Sequence, residues 1–173
     1  QLMELDIPMV LALNMMDVAE RRSISIDVDG LAGELGVAVV PTVGKKNSGV
    51  RALRTALAAA AESGQRSAFA VDYGPLEPCL ADLAAVLSTA EGLAGLPMRW
   101  LGVKLMENDE AALALVQARC PGHAEIVDKV NGLRQDFAEK QGIPAERHVA
   151  FSRHRTAAAL ASRHVGLPEE AKT

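Results

Sequence analysis

The sequence predicts an α/β segment with an incomplete parallel sheet, followed by an all-α helical bundle. Three observations carry that reading. Within residues 1–64 two short apolar runs alternate with helical patterns, the order of a parallel α/β sheet. Beyond residue 65 the apolar positions recur at 3-4 spacing only, as in amphipathic helices. Two buried parallel strands also cannot satisfy their own backbone groups, so partner strands are expected upstream of Gln1 or in another chain.

Residues 1–5 read as the last turn of a helix, halted by Asp6 and Pro8. The apolar run Met9-Val10-Leu11-Ala12-Leu13 then predicts a strand over 9–14, buried on both faces. A short polar helix follows over 17–22, and Asp27 is placed to cap a helix over 28–35 that Gly36 stops. Val37-Ala38-Val39-Val40 is the second strand, and residues 41–49 form a loop rich in Gly, Lys, Asn and Ser. A helix from Val50 passes through Leu53, Leu57 and an alanine block to Ser63-Gly64.

After a connector over 65–74, apolar residues at 76, 80, 83, 84 and 87 predict a helix over 76–90. Pro97 opens the next helix, a position that suits proline, and Trp100 on it is expected to anchor the core. Asn108-Asp109 caps a helix over 110–119, which Pro121-Gly122 ends. Ile126, Val130, Leu133 and Phe137 mark one face of a helix over 123–141. A last helix is expected over 145–165, with a frayed tail over 166–173. The domain division expected is 1–64, 65–165 and the tail, with no internal repeat.

Composition narrows the function classes. At 173 residues the chain can bury a real core, and with 49% apolar but only 3% aromatic residues that core is built from Ala, Leu and Val. The net charge of −4 argues against nucleic acid as partner. Cys79 and Cys120 are too few for a disulfide framework and fit a reducing compartment. No apolar run approaches the ~20 residues that span a bilayer, and the opening Gln1-Leu2-Met3-Glu4-Leu5 is not a signal peptide. A soluble cytoplasmic region is expected, and the absence of an initiator Met suggests a piece of something longer.

The chemistry centres on Asn14 and Asp17, which close the first strand where open α/β sheets place ligand-binding groups. Guanine presents N1–H and an exocyclic amino group side by side, so one carboxylate accepts both hydrogen bonds. Adenine lacks that donor pair and would leave the carboxylate unpaired. Asp17 suits this role, Asn14 can meet the acceptor edge of the base or tie the next loop, and Met15 can lie against one base face. The competing account of Asn14 and Asp17 is helix capping and turn formation. The loop after the second strand offers backbone N–H groups at Val43, Gly44 and Lys45 to the base carbonyl; otherwise it is an ordinary connection with solvated lysines.

Leu11-Ala12-Leu13-Asn14-Met15-Met16-Asp17 and Val39-Val40-Pro41-Thr42 together resemble the G domain of ferrous iron transport protein B. Val71-Asp72-Tyr73-Gly74 and the segment from Pro97 to Glu107, with Arg99, Trp100, Lys104 and Leu105, resemble the connector and signature helix of that family's helical domain. The resemblance implies a P-loop NTPase (G-domain) segment carrying guanine-specificity residues Asn14, Met15 and Asp17, with Val43, Gly44 and Lys45 as the next motif. It implies GTP or GDP as ligand, Mg2+ in the complete G domain, and a helical GDI-like domain. Its implied partners are the upstream half of the G domain, a membrane-embedded Fe2+ transport domain in the bacterial inner membrane, and further copies in a homo-oligomer. The family's second motif usually reads Ser-Ala-Arg/Lys, so Val43 and Gly44 are expected to weaken base binding or speed release. No G-x-x-x-x-G-K-[ST] loop occurs in the sequence, so no catalytic residue is assigned and hydrolysis is not expected of this chain alone. The alternative function is a helical interaction module whose α/β segment no longer binds nucleotide.

Other candidates read as structural. Cys120-Pro121-Gly122-His123 is expected to be a helix break with a small buried Cys rather than half a metal site. His148, His154 and His164 are not spaced to share a metal. With Arg147, Arg153, Arg155 and Arg163 they make a basic end, read as helix-dipole and solvated charge in preference to a lipid-facing patch. Glu107, Asn108, Asp109 and Glu110 read as a capping cluster rather than an iron patch.

Overall fold

The computed structural model describes residues 1–168. Two compact units interleave along the chain: one comprises Gln1–Leu5 and Val71–Thr156, the other Asp6–Ala70 and the chain from Ala157 onward.

The unit built on Asp6–Ala70 contains the sheet. Strand β1 (Val10–Leu13) runs parallel to β3 (Ala38–Pro41), with Val10 opposite Ala38 and Leu13 opposite Pro41. Between them lie α1 (Met16–Arg21), β2 (Ser25–Ile26) and α2 (Val28–Leu35); α3 (Val50–Ser63) follows. The boundaries of α2 have visible causes. The Asp27 carboxylate accepts from Gly30 N at 2.9 Å, and Gly36 takes φ 66° beyond the last turn. Helices α2 and α3 pack on the strands, and Leu35, Val37 and Val40 are buried there.

Two expectations fail in this unit. Neither strand is buried on both faces, because Ala12, Ala38 and Pro41 are exposed and α3 has no fully buried residue. A two-stranded pair has only so much surface that two helices can cover, and the all-apolar pattern of the strands exceeds it. The start of the expected tail is also ordered: β4 (Val165–Gly166) pairs antiparallel with β2, setting Ser25 opposite Gly166. Two-residue strands carry too short a pattern to read from sequence. The rest of that tail, residues 169–173, lies outside the described residues.

The other unit is helical. It contains α4 (Glu77–Ser88), α5 (Met98–Met106), α6 (Glu110–Arg119), α7 (His123–Gln141) and the first part of α8 (Ala145–His164). Its core is aliphatic, with Leu76, Leu80, Leu83, Leu87, Leu101, Val103, Met106, Val116 and Val149 at 0–1% exposure. Trp100 is not part of that core and is only half-buried. Met98, Arg99 and Lys104 of α5 are likewise only partly covered, while Leu101, Gly102, Val103, Leu105 and Met106 are buried.

Polar side chains are also buried in this unit. The Tyr73 hydroxyl, in a residue of 0% exposure, donates to Glu4 Oε1 at 2.6 Å and accepts from Arg153 Nε at 3.0 Å. Burial first, and Glu4 second, push the Tyr73 phenol well above its ordinary pKa. Arg153 reaches Glu4 Oε2 at 3.0 Å and also pairs with Glu107. Arg99 grips Glu77 through two bonds of 2.6 and 2.8 Å and donates to Val71 O at 2.9 Å. The residues that carry the family-like signature, Arg99, Lys104 and Glu107, thus all hold ion pairs of the fold.

Candidate functional site

The site lies where β1 and β3 end side by side. Thr42 N donates to Leu13 O at 2.7 Å, its hydroxyl to the same oxygen at 3.3 Å, and Met16 N to Thr42 O at 3.3 Å. These bonds lock the two strand ends in register, and Thr42 is 6% exposed. Beyond β1 the chain must turn sharply into α1, which it does at Met15 in the left-handed conformation, φ 65°. That backbone is uncommon for a residue with a Cβ. Beyond β3 the loop closes on itself through paired bonds between Val43 and Ser48, 3.0 and 3.3 Å, around a tight turn at Gly44–Lys46. Gly49 then starts α3 at φ 78°, with space for no side chain: a Cβ would lie 2.2 Å from Pro41 O.

Across the gap, Asn14 Oδ1 accepts from Gly44 N at 3.0 Å. Asn14 therefore serves as the tie between the two loops. Its Oδ1 is engaged in this bond, and its amide NH2 remains as a pair of donors. Asp17 Oδ2 receives Arg21 at 3.1 Å and Lys46 at 3.6 Å. The Arg21 hydrogen bond, with Lys46 assisting, holds the Asp17 carboxyl below its ordinary pKa, so it is ionised at neutral pH.

Asn14, Met15, Asp17, Val43, Gly44 and Lys45, the six residues singled out in the sequence, line one open depression of about 520 Å³ together with Val18, Arg21 and Lys46. Met15 is 58% exposed there, so its thioether is available to a flat ligand. Sequence reasoning gave no role to Thr42, Arg21, Lys46 or Gly49. The i, i+4 spacing of Asp17 and Arg21 is a signal that would have found one of them.

The residues read as structural take other places. No three His, Cys, Asp or Glu side chains gather for a metal among the described residues. Cys120 is 4% exposed at the end of α6, and its carbonyl accepts from His123 Nδ1 at 3.0 Å. His148 Nε2 donates to Tyr73 O at 2.8 Å. Asp109 caps α6 through Ala112 N at 3.0 Å and pairs with Lys104 at 2.9 Å. The basic end of the chain is less solvated than expected. Arg153 and Arg163 are taken up by Glu4, Glu107 and Glu34, and Arg147 lies 5.4 Å over the Phe151 ring.

Comparison with known proteins matches both parts of the chain. The family described as ferrous iron transport protein B matches residues 1–57, and the FeoB cytosolic helical domain matches residues 73–165. The Fe(2+) transporter FeoB of Salmonella typhimurium LT2 is 39% identical over 114 residues, covering 63% of this chain and 14% of the relative. Among solved structures, NFeoB from S. thermophilus bound to GDP.AlF4− and K+ superposes with a TM-score of 0.78 at 25% identity, over 93% of this chain and 61% of that one. The cytosolic domain of L. pneumophila FeoB gives a TM-score of 0.72 at 26% identity, over 95% of this chain and 60% of its own. The chain thus spans about 14% of the length of the curated relative it matches and about three fifths of the solved ones.

Proposed function

This chain belongs to the ferrous iron transport protein B family, and on that premise we propose that it supplies the guanine-reading half of a GTP-binding domain together with the helical regulatory domain that follows. In this reading residues 1–64 carry the base site and residues 65–165 form the GDI-like domain. The parent transporter couples GTP binding and hydrolysis to Fe2+ uptake across the bacterial inner membrane, with this region at the cytoplasmic face.

One observation carries the proposal: six residues from two separate strand ends meet in one depression, tied by the Asn14–Gly44 bond. Asp17 offers the base a carboxylate whose Oδ1 is not engaged by Arg21 or Lys46. Binding of guanine N1–H and the amino group draws on both oxygens, so the two cations share Oδ2 with the ligand or yield it. Adenine lacks that donor pair and would leave the Oδ1 side of the carboxylate without a partner on the base. The S. thermophilus neighbour holds GDP.AlF4−, which supports a guanine nucleotide as the ligand class.

The gathered residues suit a base and not a phosphate chain. Among the described residues the cations lining the depression are Arg21, Lys45 and Lys46, of which Arg21 and Lys46 pair with the Asp17 carboxylate, and no loop of the phosphate-cradling type occurs in the sequence. Phosphate and Mg2+ ligands are therefore assigned to the part of the family's domain that this chain does not span, and hydrolysis is assigned to the complete protein.

Titration of the complete cytosolic region with fluorescent GDP tests this directly. Displacement by GTP and GDP but not by ATP is expected. Absence of binding, or equal displacement by ATP, would favour the helical interaction module in its place.

A further inference from the structure

Two cations already sit on Asp17, and both meet the same oxygen. Arg21 donates to Oδ2 at 3.1 Å, and Lys46 Nζ lies 3.6 Å from it. A carboxylate oxygen offers two lone pairs. With Arg21 bonded to one and Lys46 close by, Oδ2 has little room for a third donor, while Oδ1 is engaged by neither cation. The two oxygens of the carboxylate are therefore unequal before any ligand arrives.

The cations are held differently. Arg21 lies on α1, four residues beyond Asp17, and moves with it as part of one helix. Its bond is of ordinary hydrogen-bond length and steadies the carboxylate. Lys46 comes from the other strand end. It closes the tight turn Gly44–Lys46, where its N–H donates to Val43 O at 2.9 Å, and Asn14 fixes the same turn through Gly44 N. From there its side chain reaches across to α1; it is 64% exposed and has no other ion pair among the described residues. A contact longer than a hydrogen bond, borne on a flexible and exposed stem, yields before the Arg21 bond does.

Guanine brings two donors, N1–H and the exocyclic amino group, and needs one carboxylate oxygen for each. One donor can take Oδ1. The other must come to Oδ2, where Arg21 leaves a single lone pair and Lys46 stands beside it. We propose that Lys46 is a specificity-determining residue that competes with guanine for Asp17 Oδ2, and so lowers the affinity of the site for guanine nucleotides. The inference rests on the reading of Asp17 as the guanine-reading residue. A base with one donor does not meet this competition. Hypoxanthine has N1–H but no amino group, so it can use Oδ1 alone and leave the Lys46–Asp17 pair in place. Lys46 therefore narrows the preference for guanine over hypoxanthine. The effect is modest, because exposed ion pairs are weak.

Titration of the complete cytosolic region with GDP and with inosine diphosphate tests the competition. Lys46→Met keeps the backbone bond of the turn and a stem of similar length, and removes the cation. The ratio of GDP affinity to inosine diphosphate affinity is expected to rise about twofold to fivefold, the range that an exposed pair supports. Lys46→Arg keeps a cation and is expected to retain the wild-type ratio. A general attraction of Lys46 for phosphate, or a merely structural role in the loop, would move both nucleotides together and cancel in the ratio. Should Lys46→Met not fold, as judged by circular dichroism, Lys46→Gln carries the same expectation. A ratio that stays level or falls in the folded uncharged variant overturns the proposal, as does an equal rise in Lys46→Arg. If the wild type prefers GDP to ADP and the ratio stays level, this inference alone falls; if the wild type lacks that preference, the guanine-site reading falls with it.

Discussion

Asn14 shows what a single amide contributes when two strands end together. Its Oδ1 bond to Gly44 N joins segments 30 residues apart, so the residue that would read a base also sets the position of the neighbouring loop. Gly49 holds the same loop from its other end. Gly49→Ala would force a Cβ into Pro41 O at φ 78°, and a loss of about 2–4 kcal/mol is expected in denaturant unfolding of the α/β unit. Gly44 is different, since an added Cβ would meet only the Asn14 amide at 3.6–3.7 Å, an ordinary contact. The double variant Val43→Ser, Gly44→Ala is therefore expected to fold, to stiffen the loop, and to slow GDP dissociation from the complete domain several-fold; stopped-flow release of labelled GDP measures it. Asn14 and Asp17 were legible from their spacing, because a strand followed by N-x-x-D places both groups at one sheet edge. Thr42 was not, since its hydroxyl bond to Leu13 O depends on the β1–β3 register, which no local pattern encodes.

At the scale of elements, the helices were read within a few residues because their ends carry their own chemistry. Asp27, Gly36, Asp109 and Gly64 all stand at caps where the sequence placed them. The strands were harder. β1 and β3 were located from apolar runs, but the runs imply coverage that two helices do not supply, and the two-residue pair β2–β4 leaves no periodicity at all. Trp100 falls short of the core for a related reason: size argues for full burial, yet on α5 the fully buried residues are Leu101, Gly102, Val103, Leu105 and Met106. Two outcomes follow for the helical unit. Leu87→Ala removes a side chain of 0% exposure and is expected to cost about 2–5 kcal/mol, read as a lower denaturation midpoint. The Arg99 hydrogen bonds hold the Glu77 carboxyl below its ordinary pKa. A depressed folded-state pKa contributes stability above the unfolded value and loses it as pH falls. Glu77→Gln is therefore expected to cost about 1 kcal/mol at pH 7, discounted because the pair is over a third exposed, and almost nothing near pH 3.

For the whole molecule, a change from mixed to purely helical patterning near residue 65 was visible in the sequence. The interleaving was not: Leu2–Leu5 belongs with the helices through Glu4, and the end of α8 belongs with the sheet through β4. Such long-range exchange rests on buried pairs such as Glu4–Arg153, whose partners lie 149 residues apart. Family membership follows from matches that span both parts, while the guanine-site reading depends on Asp17 alone to distinguish one base from another. The most direct measurement is the base preference of an Asp17→Asn variant of the complete cytosolic region. An amide at this position offers a donor where guanine requires an acceptor and xanthine supplies one. A loss of GDP affinity of at least about tenfold, with a matching gain for xanthosine diphosphate, is expected from one exchanged pair of hydrogen bonds. Unchanged GDP affinity, with no gain for xanthosine diphosphate, would contradict the assignment of Asp17 as the guanine-reading residue.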